Sequence, residues 1–172
     1  GTTLTFTASQ DFNGSESFTA TVTDGEYSSS QTFTVTVTPV NDAPTLAAVD
    51  AVNFNEDSST SIALSGSDVD GDDLIYSISG GTDITAALDG TTVTFTASQD
   101  FNGSESFTAT VTDGEFSISQ TFTVTVTPVN DAPTLAVVPG VSFAEDSSTP
   151  ITLSGSDVDG DDLTYSISGG TD

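Results

Sequence analysis

The chain has 172 residues with 26 Asp and Glu side chains and no Lys, Arg, His or Cys, so its formal charge is −26. Nucleic acids and anionic membrane surfaces are excluded as partners, because no side chain can neutralise a phosphate. Disulfides, zinc sites built from Cys and His, and catalysis that depends on His, Cys, Lys or Arg are excluded as well. What remains is the binding of hard cations through oxygen.

Apolar residues alternate with polar ones along several segments, and this period of two predicts strands with one buried and one solvent-facing side. The runs are Leu4, Phe6 and Ala8; Phe18, Ala20 and Val22; Phe33, Val35 and Val37; and Leu74, Tyr76 and Ile78. Ser and Thr form about a third of the chain, a bias that can indicate a disordered stalk. The alternation and the 11 Phe residues favour a folded protein instead. No window predicts an amphipathic helix, a membrane span or a signal peptide.

Self-comparison reveals an internal repeat of 89 residues. Residues 1–83 differ from residues 90–172 at only 11 of 83 positions. With the boundary placed at VNDAP, which follows the longest predicted strand, the chain holds the C-terminal half of one unit (1–39), a complete unit (40–128) and the N-terminal half of the next (129–172). One interpretation is a window cut from a longer repetitive protein. The other is that half-units complete each other between neighbouring chains.

The complete unit is predicted to form seven strands, near 45–54, 60–65, 74–79, 83–88, 92–97, 105–112 and 117–127. Seven short alternating strands in 89 residues without a helical pattern predict an all-β fold, a Greek-key β-sandwich of immunoglobulin type. A Cys-Trp-Cys pattern is missing, so the unit is not antibody-like. The core of such a domain is small, and added stability from metal is expected.

The densest acidic motif is DVDGDD, which places four carboxylates in six residues. Such a turn is strongly self-repulsive unless a cation lies among its oxygens, and alternate Asp residues around a Gly suit Ca²⁺. The EF-hand pattern does not fit, because strands follow where a helix should. A solvated acidic turn is the alternative interpretation. The motif residues are Asp68, Asp70, Asp72 and Asp73, repeated as Asp157, Asp159, Asp161 and Asp162.

In order and spacing, these elements resemble cadherin repeats. DVDGDDLIYSI resembles the D-A-D loop and the strand after it, VNDAP resembles the interdomain linker, and QDFNGSESFTATVTDG resembles the segment that runs from the L-D-R-E motif to a later acidic turn. The amino-acid sequence of the repeat is similar to the cadherin-like tandem repeats of giant RTX-type bacterial surface adhesins. This resemblance implies cadherin-like sandwiches with Ca²⁺ at the junctions between units.

The ligand sets that the resemblance implies follow the two linkers. The first set is Asp11, Asn41, Asp42, Asp68, Asp70, Asp72 or Asp73, and Asp113. The second is Glu56, Asp100, Asn130, Asp131, Asp157, Asp159, and Asp161 or Asp162, with Glu145 as the copy of Glu56 in the next unit. Asn102 stands near the second acid of L-D-R-E, and Ala43 replaces an Asn. We therefore expect weak sites, with Kd roughly 10⁻⁴ to 10⁻³ M.

The predicted function is a calcium-rigidified structural extender of a secreted or cell-surface adhesin or extracellular fibre, and not an enzyme. The alternative is an adhesive module that itself binds a glycan or a like domain, with any other receptor bound elsewhere in the full protein. An Asn-Gly turn explains the glycosylation patterns at Asn13 and Asn102 equally well. The partners we expect are neighbouring repeats of the same or identical chains, with half-units joined head to tail. Asp24 of one copy would then approach Asp157 and Asp159 of another.

Overall fold

The computed structural model describes residues 1–170, and this part of the chain is all-β, without a helix. Alternating Thr, Val and Phe residues form the longest strands, as expected for β-branched and aromatic side chains on a half-buried sheet. The strands are β1 Gly14–Thr23, β2 Ser28–Val37, β3 Thr45–Leu46, β4 Val52–Asn55, β5 Ser59–Ala63, β6 Gly66–Ser67, β7 Ile75–Gly80, β8 Ile84–Asp89, β9 Thr92–Ala97, β10 Gly103–Thr112, β11 Ser117–Thr127, β12 Thr134–Leu135 and β13 Gly155–Ser156.

Strands β3 to β11 form one complete sandwich. One sheet has the order β4-β11-β10-β7, and the facing sheet has the order β5-β9-β8. Strand β10 pairs antiparallel with β7 and β11, whereas β4 runs parallel to β11. The short pair β3 and β6 lies beside these sheets. The predicted all-β, immunoglobulin-like sandwich is therefore confirmed.

The core joins the two sheets through three Phe rings. Phe95 of β9 contacts Phe107 of β10 and Phe122 of β11, with ring centroids 5.2 and 6.0 Å apart at near-perpendicular angles. Edge-to-face contacts of this kind are the favoured geometry for aromatic pairs. Ile84 and Val93 of the three-stranded sheet are also buried in this core. The inward positions of the alternating pattern are thus the ones that pack.

The segment predicted as one strand over 45–54 is instead two short strands. β3 pairs with β6, and β4 pairs with β11, so the chain changes neighbours between Leu46 and Val52. The Gln120 side chain spans this break, because its amide donates to the carbonyl oxygen of Leu46 at 2.7 Å and accepts from the amide of Val49 at 3.1 Å. A side chain therefore satisfies backbone groups that a continuous ladder would otherwise pair.

The two flanking segments are incompletely paired. Residues 1–37 form only the β1–β2 hairpin, and Leu4, Phe6 and Ala8, whose alternation predicts a strand, form none. Their copy in the complete unit is β9, which is held between β5 and β8. Within the described part of 129–172, the only strands are β12 and β13. Alternation predicts where a strand can form, but a strand also needs a ladder partner.

The turn between β7 and β8 is anchored by one carboxylate. Glu105 of β10 accepts hydrogen bonds from the backbone amides of Thr82, Asp83 and Ile84 at 2.9, 3.1 and 3.0 Å. Burial raises the pKa of the Glu105 carboxyl, but the three amides outweigh it and hold the pKa below its ordinary value of 4.5. Gly81 in this turn has φ 79°, and a Cβ there would lie 2.5 Å from the Phe107 ring.

We expect Glu105→Gln to lower the free energy of unfolding at pH 7 by about 1 kcal/mol, because charge-assisted hydrogen bonds to the amides are weakened. Because the pKa of Glu105 is lower in the folded than in the unfolded protein, its ionised carboxylate stabilises the fold at a pH above the unfolded-state pKa. This stabilisation is lost as the pH falls through the folded-state pKa. The difference between wild type and variant should therefore shrink below pH 4.5. Denaturant titrations at several pH values measure it.

Glu16 provides the matched control, since it occupies the position in β1 that Glu105 occupies in β10. It is exposed, and no hydrogen bond joins its side chain to the described residues. Glu16→Gln should leave unfolding of the sandwich unchanged. Equal effects from the two substitutions would contradict the anchoring role of Glu105.

Candidate metal centre

The DVDGDD motif is a tight turn organised by its first carboxylate. Oδ1 of Asp68 accepts from the backbone amides of Asp70, Gly71 and Asp72 at 2.8, 3.1 and 3.4 Å. Gly71 has φ 84°, a left-handed conformation that glycine adopts without steric cost. This turn brings carboxylate oxygens of Asp68, Asp70 and Asp72 within 4.8 Å of one another. Oδ2 of Asp68 is buried and has no hydrogen-bond partner.

The first linker packs against this turn. The backbone amide of Asp42 donates to Oδ2 of Asp70 at 2.8 Å, and the Asn41 side chain donates to Oδ2 of Asp113 at 3.1 Å. Asp11 lies beside Asp42 and Asp70 along a shallow cavity. The structure therefore brings together most of the first predicted ligand set.

Asp113 is held by its own turn as well as by the linker. Burial raises the pKa of its carboxyl, but hydrogen bonds from the amides of Phe116 and Glu115 and from Asn41 outweigh this and keep the pKa below 3.8. Asp24 is the copy in the β1–β2 hairpin. The amides of Tyr27 and Glu26 lower its pKa in the same way. Both carboxylates stabilise a hairpin turn.

The second linker carries the larger group of carboxylates, centred on Asp131. Glu56, Asp131 and Asp159 have oxygens within 4.8 Å of one another, and so do Asp57, Asp100 and Asp131. Glu56 and Asp57 follow β4, Asp100 follows β9, and Asp131 follows β11. Asp159 lies in the next unit, and its Oδ2 accepts from the amide of Asp131 at 2.7 Å. The group thus joins two repeat units.

Negative charge at this site is only partly compensated. Glu56 is 4% exposed and accepts a hydrogen bond from the amide of Val129. Desolvation raises the pKa of Asp131, and the charges of Asp57, Asp100, Asp159 and Glu56 raise it further. Oδ2 of Asp131 is buried without a hydrogen-bond partner. No side chain of the protein can supply a positive charge, so compensation must come from solution.

Backbone conformation directs two of these carboxylates toward Asp131. Asp57 and Asp100 both have φ 56°, in the left-handed region where Asp and Asn are the commonest residues after glycine. Only oxygen atoms converge here, and they are mostly anionic, which is the donor set of a hard divalent cation. An unpaired, buried carboxylate oxygen among them fits a bound Ca²⁺ better than an empty acidic turn.

Several predicted residues lie outside the groups of three carboxylates that the described residues form. Asp157 instead caps its own turn, since Oδ1 accepts from the amides of Asp159 and Asp161 at 3.0 and 3.3 Å. The Asn130 side chain donates to the carbonyl oxygen of Asp131. The other predicted residues outside these groups are Asp11, Asp24, Asn41, Asp42, Asp73, Asn102, Asp113, Glu145, Asp161 and Asp162.

Asp57 is absent from the ligand sets predicted from the sequence. Its signal in the sequence is position alone, as the residue directly after Glu56 in NFNED. Two adjacent acidic side chains on an extended strand would point to opposite faces. Here the strand ends at Asn55 and Asp57 turns left-handed, so both carboxylates reach the same group.

Comparison with known proteins identifies the family. Residues 41–127, half of the chain, match the family model described as the bacterial Ig domain. The chain belongs to this family. Its domains are typically extracellular or surface-exposed structural or adhesive modules, and they are typically not enzymes. No curated protein matches the chain in sequence.

Solved structures give weaker likenesses. The endo-fucoidan hydrolase MfFcnA4 of glycoside hydrolase family 107 is 21% identical with a TM-score of 0.41, and the match covers 68% of this chain and 19% of that one. Human protocadherin-24 EC1-2 is 20% identical with a TM-score of 0.42, and the match covers 69% of this chain and 62% of that one. This chain thus spans less than two thirds of either protein. The likeness concerns part of the fold and bears on no function.

Among residues 1–170 there is no helix of the length and apolar character that a membrane crossing needs.

We expect Asp131→Asn to raise the melting temperature in chelator and to reduce the gain on adding Ca²⁺. In the metal-free protein the substitution removes one of five mutually repelling carboxylates. The sign follows from the raised pKa of Asp131. Below pH 3.8, the ordinary pKa of an Asp carboxyl, protonated Asp131 stabilises the metal-free fold, and this stabilisation is lost as the pH rises through the pKa that Asp131 has in the folded protein. Calorimetry with and without chelator measures both effects.

The control is Asp50→Asn, which removes the same charge from an exposed residue outside the three carboxylate groups. Asp50→Asn should leave the melting temperature nearly unchanged both in chelator and with Ca²⁺. A destabilised Asp131→Asn protein in chelator would contradict the assignment of uncompensated charge to this position.

Proposed function

We propose that the chain is a calcium-rigidified extender of a secreted or cell-surface adhesin or extracellular fibre, of the RTX-type adhesin kind that its repeats resemble. The observation that carries this proposal is the Asp131 group. Its carboxylates come from two adjacent units, and no cationic side chain exists to neutralise them. An ion bound there would couple the orientation of one unit to the next.

The residues that would hold Ca²⁺ at the second linker are Glu56, Asp57, Asp100, Asp131 and Asp159. Bound Ca²⁺ would supply positive charge and a shared coordination centre. The protein supplies rigidity on both sides: Glu56 is buried against the sandwich, and the amide of Asp131 is hydrogen-bonded to Asp159. The linker is then restrained by its backbone and by its carboxylates together.

The first linker supports the same role with a smaller group. Asp68, Asp70 and Asp72 converge in the turn, and Asp42 and Asp11 lie next to them. Oδ2 of Asp68 is the buried oxygen without a partner at this linker. One contact repeats at both linkers, since the amide of Asp42 donates to Asp70 as the amide of Asp131 donates to Asp159. The carboxylates that converge differ between the two linkers.

A structural role also agrees with what the repeats retain. Five of the 11 differing positions lie within residues 48–55, where Ala48, Asp50 and Ala51 of one loop stand against Val137, Pro139 and Gly140. The acidic residues of the DVDGDD turn and of the VNDAP linker are identical in both copies. Millimolar extracellular Ca²⁺ would fill weak sites that the cytosol would leave empty, which supports a location outside the cell.

Calcium should stabilise the wild-type protein by mass action, by about 2.7 kcal/mol at one hundred times Kd. Asp159→Ala should weaken Ca²⁺ binding at the second linker at least about tenfold, because it removes a charged ligand that the other unit contributes. Isothermal titration measures the affinity. Asp50→Ala is the charge-matched control, and equal loss in both variants would contradict the assigned site.

Binding should also straighten the chain. With Ca²⁺, each unit should add about 40 Å to the length, since strands of ten residues at about 3.3 Å each, with their loops, span that distance. In chelator, repulsion between carboxylates should leave the linkers free to bend. Small-angle scattering at low protein concentration measures the maximum dimension. An unchanged dimension in chelator would rule out rigidification by calcium.

A further inference from the structure

Two Asn residues at equivalent positions of the repeat are each followed by a glycine. Asn13 precedes Gly14 at the start of β1, and Asn102 precedes Gly103 at the start of β10. Both Asn side chains are exposed. A glycine has no side chain to block the approach of its own backbone nitrogen to the preceding Asn side chain. These two pairs are therefore where the chain can lose a side-chain amide most readily.

The remaining four Asn residues are restrained or are followed by a larger residue. Three of them have side chains held by hydrogen bonds of 3.1, 2.7 and 2.8 Å. The fourth, Asn53, precedes the bulky Phe54. Within residues 1–170, no hydrogen bond involves the side chain of Asn13 or Asn102. The three restrained residues are Asn41, Asn55 and Asn130.

The backbone requires the glycine of each pair. Gly14 has φ 138° and Gly103 has φ 151°, conformations that residues with a side chain rarely adopt. A Cβ at Gly103 would also lie 3.0 Å from the ring of Phe101. The turn that precedes each strand thus fixes a glycine directly after an unrestrained Asn.

Asn13 lies beside the carboxylates of the first linker. It lines the same shallow cavity as Asp11, Asp42 and Asp70. Its side chain is neutral, whereas these three neighbours carry negative charge and no side chain of the protein carries a positive one. A carboxylate in place of the Asn13 amide would therefore add to an uncompensated negative charge.

Asn102 has the same relation to the second linker. It follows Asp100, a member of the Asp131 group, by two residues. The turns before β1 and β10 have the same backbone, since φ is 58° at Asp11 and 56° at Asp100. In both turns the Phe amide donates to the carbonyl oxygen of a Ser three residues earlier, at 3.3 and 3.1 Å. The repeat thus places one neutral Asn next to each acidic linker.

We propose that Asn13 and Asn102 are deamidation sites, and that each product adds a carboxylate to the linker beside it. The glycine nitrogen attacks Cγ of the Asn side chain and gives up its proton. The Cγ–Nδ2 bond breaks, ammonia leaves with that proton, and a cyclic imide remains. Water then opens the imide at one of its two carbonyl carbons. One opening gives Asp and the other gives isoaspartate, and each product carries one new carboxylate.

The new charge has opposite effects with and without a cation. The effect on Ca²⁺ rests on the proposed function: an added anionic ligand should strengthen binding at that linker by about tenfold. The effect without a cation does not rest on it. In chelator, one more like charge beside the existing carboxylates should lower the melting temperature.

Ageing of the full chain tests the chemistry. Peptide mapping by mass spectrometry, with a Glu-specific protease because the chain has no Lys or Arg, should show loss of the amide at Asn13 and Asn102 and its retention at the other four Asn residues. A protein isoaspartate methyltransferase should label both sites. Asn102→Gln is the control, because its longer side chain would need a larger and slower-forming ring. That variant should convert at Asn13 alone.

Substitutions test the consequence at the linker. Asn102→Asp installs one product directly, and Asn53→Asp adds the same charge at an exposed residue outside the three carboxylate groups. Calorimetry in chelator should show a lower melting temperature for Asn102→Asp and almost no change for Asn53→Asp. Titration calorimetry should show Ca²⁺ binding strengthened about tenfold in Asn102→Asp alone.

Three results would overturn the proposal. They are amides that persist at Asn13 and Asn102 on ageing, amide loss at the same rate in all six Asn residues, and equal melting temperatures of Asn102→Asp and Asn53→Asp in chelator. Failure of the wild-type chain to bind Ca²⁺ would instead contradict the proposed function. The mapping and the chelator comparison still decide the deamidation proposal in that case.

Discussion

The structure depends on one electrostatic constraint, which is that a chain of charge −26 has no cationic side chain. Every carboxylate must therefore face water, accept backbone amides or share an ion from solution. Glu105, Asp113 and Asp68 take the second course, each receiving two or three amides of a turn. In this protein the tight turns are thus where negative charge and backbone donors satisfy each other, much as carboxylates do at helix N-termini in other folds.

At the linkers the carboxylates are only partly satisfied by backbone amides. The stability of one unit and the order between units therefore depend on different interactions. The sandwich is held by an apolar core in which Phe95, Phe107 and Val124 are fully buried, and this core needs no ion. Asp131, by contrast, lies among carboxylates from two units, with a raised pKa and one oxygen unpaired. Loss of an ion would therefore affect the junction first and leave the domain fold in place.

The alternation of apolar residues predicts the sandwich well because buried and exposed positions depend only on strand period. It predicts β7 to β11 to within a residue or two. It fails at residues 45–54, where the chain changes partners and Gln120 fills the gap, since one side chain bridging two backbone groups leaves no periodic signal. The acidic motifs locate both linkers. Asp57 joins the Asp131 group only because its backbone is left-handed, and no sequence pattern predicts that conformation.

Near-identical sequences with different structures show what controls strand formation here. β9 is a strand between two partners, whereas its copy near residues 3–8 is irregular, although only Leu4 against Val93 differs between them. Local propensity is nearly the same, so tertiary pairing decides. It follows that repeats this similar would also pair well with the wrong neighbour, because each N-terminal half presents almost the same inward residues to each C-terminal half. Correct order along such a chain must come from connectivity and from the linkers, and a cation bound among the shared carboxylates, as proposed, would keep adjacent halves in register.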